Sequence, residues 1–93
     1  MTENELLLQS FRDIQSLKEG VHTYAYNTGE WIEIAVDDYD FYRDNEDFKS
    51  LKTRIRNDFM TNFQIKVIFV YCPYSDAAAK RITGKGNEII KDD

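Results

Sequence analysis

The stretch VHTYAYNTGEWIEIAV, Val21–Val36, decides the fold class. Two runs rich in β-branched and aromatic residues flank Asn27-Thr28-Gly29, which suits a three-residue hairpin loop closed by a glycine in the left-handed region. That register pairs Tyr26 with Glu30, Ala25 with Trp31 and Tyr24 with Ile32. It places His22, Tyr24, Tyr26, Ile32, Ile34 and Val36 on one face and Val21, Thr23, Ala25, Trp31, Glu33 and Ala35 on the other. The first face is bulkier and is expected to meet the core. Trp31, among small neighbours, is covered either by a helix or by a partner.

Outward from the hairpin, helical periodicity takes over on both sides. Upstream, Thr2 and Glu5 have the spacing of a capping box, and Leu7, Phe11, Ile14 and Leu17 form an apolar stripe that Gly20 can end. Downstream, Asp44 or Asn45 can cap a helix at Glu46–Gln64, where Phe48, Leu51, Ile55, Phe59 and Phe63 share a narrow arc. Arg54 and Asp58 are spaced to pair along it. Ile65–Cys72 is apolar on both faces, the pattern of a central, covered strand, and Pro73 ends it. Ser75 can cap a short helix at Asp76–Ile82, Gly84-Lys85-Gly86-Asn87 reads as a turn, and Glu88–Lys91 reads as a last short strand or a loose tail. The expectation is α+β in the order α-β-β-α-β-α: an antiparallel hairpin and a central apolar strand packed on amphipathic helices.

Composition bounds the rest. Ninety-three residues make one domain, 1–93, with the ends 1–4 and 84–93 expected to be flexible. The chain is 42% hydrophobic with six Phe, six Tyr and one Trp, enough to build an efficient core. Cys72 is the lone cysteine, so no intrachain disulfide forms, and the reading is a reducing, cytoplasmic setting. Neither a signal peptide nor a membrane span is legible. The formal charge of −5 argues against a general nucleic-acid binder. It is also uneven: Glu30 to Asp47 holds eight acids and one base, Lys49 to Lys66 five bases and one acid. Such a split orients a partner or pairs internally.

The chemical motifs are weak one by one. Asp37, Asp38 and Asp40 follow the second strand, but no glycine bend or closing glutamate makes an EF-hand of them, and no metal is expected. His22 has no second histidine to complete a metal cluster. Gly84-Lys85-Gly86 lacks the spacing of a phosphate loop. Cys72-Pro73-Tyr74-Ser75 resembles the one-cysteine form of the glutaredoxin active-site motif, which implies a thiol activated at a helix N-terminus. In glutaredoxins the motif lies near the start of the domain, behind a loop. Here it continues the strand directly, and only eighteen residues follow Ser75.

The sequence therefore reads as a non-enzymatic, cofactor-free protein-binding or regulatory domain. Its expected docking surface is Asp37, Asp38, Tyr39, Asp40, Tyr42, Asp44, Glu46 and Asp47, with Trp31 secondary. Carboxylates interleaved with aromatics suit a basic groove on another protein, one that ordinarily holds nucleic acid. Small inhibitors of phage or mobile-element type present such a surface. A second copy of the chain is another occupant. The alternative is an RNA- or DNA-binding module using Lys49, Lys52 and Arg56, and a further alternative is a thiol redox protein at Cys72.

Overall fold

The computed structural model describes residues 1–74 and the backbone of two later strands, Ile82–Lys85 and Glu88–Lys91. It is an α+β fold. Helix α1 (Glu3–Leu17) precedes the hairpin β1 (Thr23–Asn27) and β2 (Trp31–Val36); α2 (Tyr39–Asp44), α3 (Glu46–Phe63) and β3 (Lys66–Tyr71) follow, then β4 (Ile82–Lys85) and β5 (Glu88–Lys91). The capping box forms as read: Thr2 Oγ1 accepts from Glu5 N–H at 3.1 Å and Glu5 Oε1 accepts from Thr2 N–H at 2.9 Å. Asn45 Oδ1 starts α3 by accepting from Phe48 N–H at 2.8 Å. Gln64 ends it in the left-handed region at φ 53°.

The five strands form one sheet in the order β3-β2-β1-β4-β5. β1 pairs antiparallel with β2 and β4, and β4 with β5, whereas β2 and β3 run parallel. A parallel neighbour requires a crossover, which α2 and α3 provide. The expected central position of β3 is thus corrected: among the described residues it ends the sheet. It is apolar on both faces for two separate reasons. Val67 and Phe69 enter the helix-side core, while Val70, with Cys72, packs against Tyr24 and Ala35 on the other face.

The hairpin register also differs from expectation. Ala25 faces Ile34 and Tyr24 faces Ala35, because the turn is centred on Gly29 and Glu30. Gly29 takes φ +93°, and Thr28 N–H donates to the Trp31 carbonyl at 3.0 Å. In the return direction Trp31 N–H donates to Thr28 Oγ1 at 3.0 Å, a side chain standing in for a backbone acceptor. Moving the partner of Ala25 from Trp31 to Ile34 is an odd shift, and an odd shift turns one strand over relative to the other. Val21 and Ala25, rather than Tyr24 and Tyr26, therefore join Ile32, Ile34 and Val36 in the core.

The helices pack on that face. Phe11 and Ile14 of α1 meet Phe48, Ile55 and Phe59 of α3, all at most 1% exposed. Burying each such side chain contributes about 2–3 kcal/mol. Of the helix expected at Asp76–Ile82, Ile82 begins β4 and the remainder lies outside the described residues. Gly84 and Lys85 of the expected turn belong to β4, Gly86 and Asn87 lie outside, and Glu88–Lys91 is strand β5. No helix among the described residues is long and apolar enough to cross a membrane.

Candidate functional site

The acidic segment is a short helix and two caps. Asp37 is bound back to the hairpin: its Oδ1 accepts from His22 N–H at 2.8 Å, and its Oδ2 lies 2.8 Å from His22 Nδ1. Asp38 caps α2 by accepting from Phe41 N–H at 2.9 Å and pairs with Lys18, the residue that follows α1. The Lys18 ammonium first, and the Phe41 N–H second, hold the Asp38 carboxyl below the usual carboxylate range. Both residues thus hold the fold together. Phe41 is buried at 3% exposure.

The outward residues of the segment are Tyr39, Asp40, Asp44, Glu46 and Asp47. Arg43 lies among them, 2.7 Å from Asp44 and 3.6 Å from Asp40, with its guanidinium 5.1 Å from the Tyr39 ring centre. The pairing lowers the Asp44 pKa and raises that of Arg43. Glu46 pairs with Lys49 at 2.9 Å. Tyr39 packs edge-on against Tyr71 of β3 at 5.3 Å between ring centres, and both rings remain exposed. Tyr42 is half-buried, its hydroxyl donating to the Phe69 carbonyl at 3.3 Å. Asp37, Asp38 and Asp40 turn to different partners, and among the described residues no group of three ligands converges for a metal.

Trp31 does not join this surface. It opens β2, and Asp37 follows the strand's other end, about 17 Å away at ~3.3 Å per residue. Its ring is half-buried, and its Nε1 is buried without a partner among the described residues.

Two clefts flank α3. Toward α1, Asp47, Ser50 and Arg54 face Asp13, Ser16 and Leu17 across a cleft of about 390 Å³. Arg54 pairs there with Asp13, whose other oxygen accepts from Gln9 Nε2 at 2.8 Å. The pair expected between Arg54 and Asp58 is replaced by this contact between helices. Toward β3, Arg56, Asn57 and Met60 of α3 and the Lys66–Phe69 stretch of the strand line a groove of about 400 Å³. Among the described residues no carboxylate lines it. Lys52 Nζ lies 5.0 Å from the Phe48 ring centre and 5.2 Å from that of Tyr42, and Arg56 lies 5.1 Å from that of Phe69. Burial, then the Arg56 and Lys49 charges, lower the Lys52 pKa. Among the described residues, Lys49 alone of the three expected basic residues has an ion pair.

Asp13 and Met60 are not singled out by sequence reasoning, because only tertiary packing brings Asp13 to α3 and Met60 to the β3 edge. Cys72 is half-buried against Tyr24 and Ala35, and the helix expected to activate it falls outside the described residues. Compared with known protein families, curated proteins and solved structures, the chain gives no significant match.

Proposed function

We propose that this chain is a non-enzymatic protein-binding domain that docks through the outer face of α2 and the first turn of α3. The observation that carries the reading is the exposed Tyr39–Tyr71 ring pair beside Asp40, Asp44 and Glu46, whose side chains are 82%, 61% and 82% exposed. Surface ion pairs such as those to Arg43 and Lys49 are worth little, so these carboxylates can exchange partners at small cost. The rings supply apolar anchors and the acids supply steering toward a basic groove. An inhibitor that occupies the groove of a nucleic-acid-binding protein is the most specific form of this reading.

The test is a triple charge reversal, D40K/D44K/E46K, which spares the structural Asp37 and Asp38. Affinity capture from native cell extract should lose its basic partner while far-ultraviolet circular dichroism stays unchanged. Capture that persists at full strength overturns the reading. The competing nucleic-acid reading draws on Lys52 and Arg56, which lack ion pairs among the described residues. It requires a low-salt affinity for oligonucleotide that falls steeply with added salt.

A further inference from the structure

The groove between α3 and β3 has a chemistry distinct from the docking face. Among the described residues its charged lining is wholly cationic, Arg56 and Lys66, and the rest is mainly apolar, from Met60, Val67, Ile68 and Phe69. Met60 is 49% exposed, unusual for so apolar a side chain. A volume near 400 Å³ falls at the small-ligand end of binding clefts. We propose that this groove binds a small amphipathic carboxylate across the β3 edge, its apolar body against Met60 and the strand and its head group drawn by the Arg56 and Lys66 charges.

Charge complementarity selects that occupant. Lys52 and Arg56 crowd one flank of α3 with Lys49, and among the described residues only Lys49 has an ion-pair partner. Like charges held together without a counter-charge cost energy that an anion relieves. Arg56 is held over the Phe69 ring, so its guanidinium is positioned before any ligand arrives. The Asn57 amide at the rim offers donors to a carboxylate. A cationic ligand would find no acid among the described residues of this lining, and a neutral apolar one would leave the cations unanswered.

The experiment titrates the full-length, isotope-labelled chain with octanoate and follows it by nuclear magnetic resonance. Saturable shifts are expected at the Met60 methyl and the Ile68 and Phe69 amides, with octan-1-ol and octylammonium at least about tenfold weaker. Arg56→Gln and Lys66→Gln, both at exposed positions, should each weaken octanoate several-fold and leave the remaining spectrum in place. Equal response to octylammonium, or indifference to both variants, overturns the proposal. So does a short oligothymidylate that shifts the same amides at lower concentration than octanoate, because the flank is then a nucleic-acid site. The docking face is read separately by the charge-reversed triple variant, whose octanoate binding should match the parent's.

Discussion

The two clefts beside α3 are nearly equal in volume, about 390 Å³ toward α1 and about 400 Å³ toward β3, and opposite in electrostatic state. On the α1 side Arg54 reaches Asp13, and the cation is answered within the fold. On the β3 side Arg56, two residues later, meets an aromatic ring and no carboxylate among the described residues. The same residue type on the same helix is thus a strut on one flank and an unspent charge on the other. A helix's charge inventory does not reveal which cations remain for a ligand; the neighbouring element decides.

Removing the wall that the clefts share has the largest expected effect. Phe59 is fully buried at the core of α3, and Phe59→Ala should cost about 3–5 kcal/mol through lost transfer energy and the cavity left behind. Urea unfolding would measure it. A loss below about 1 kcal/mol would mean that α3 is not the common support.

Asp38→Ala acts mainly through α2, with a smaller loss at Lys18, just beyond the end of α1. Asp38 starts α2, and α2 carries Tyr42, whose hydroxyl meets the β3 edge at Phe69. Losing the cap should cost about 1–2 kcal/mol. Because Lys18 and the cap depress the Asp38 pKa, its ionised form favours the native state. That contribution is complete above the unfolded value near 3.8 and is lost as pH falls through the lower native value. The difference between parent and Asp38→Ala should therefore narrow in acid, read by urea midpoints from neutral pH downward. Amide shifts in α2 and β3 that exceed those at Lys18 and around the α1 cleft would sharpen the contrast; equal shifts on both sides would remove it.

Arg54→Ala and Arg56→Ala test the contrast directly. Arg54→Ala breaks a partly exposed pair between helices and should cost about 0.5–1 kcal/mol. Arg56→Ala loses stem packing and a cation–π contact but relieves repulsion with Lys52, so its net effect should lie within about 0.5 kcal/mol of zero. Equal losses from the two, by chemical denaturation, would show that both arginines are structural.

These predictions follow the line between what was legible in the sequence and what was not. The α3 stripe from Phe48 to Phe59 and the Thr2–Glu5 cap were legible because periodicity and capping are local. The hairpin was legible as a hairpin, but its register was not. Gly29 fits either a three-residue loop or the observed turn, and the choice rests on the Thr28 hydroxyl replacing a backbone acceptor. β3 read as central because its two faces are apolar, and no local feature distinguishes that from an end strand packed differently on each face. In the candidate site, the acid–base split was visible, yet its division between structural and exposed residues was not. Asp37 reaches back to His22 and Asp13 across to Arg54, both contacts made only by the folded chain.

The smallest effect is the most specific to the β3 flank. Lys52 is pushed toward its neutral form first by burial, then by Arg56 and Lys49. Arg56→Gln removes one repelling charge while leaving Lys52 seated over Tyr42 and Phe48. The Lys52 amine should then titrate at higher pH than in the parent, though still below the ordinary lysine value, since the burial remains. For a base with a lowered native pKa, the unfolded chain binds more protons, so the penalty is present below the native pKa and fades as pH rises toward 10.5. Carbon-13 dimethylation of the lysines with pH-titrated spectra reads the amine itself, at a cost to its hydrogen-bonding capacity but not its charge. Arg54→Gln is the matched control on the opposite flank and should leave the Lys52 titration where it was. If both variants move it alike, the field at Lys52 reflects the molecule's overall charge, and the β3 flank has no local excess of cations to offer an anion.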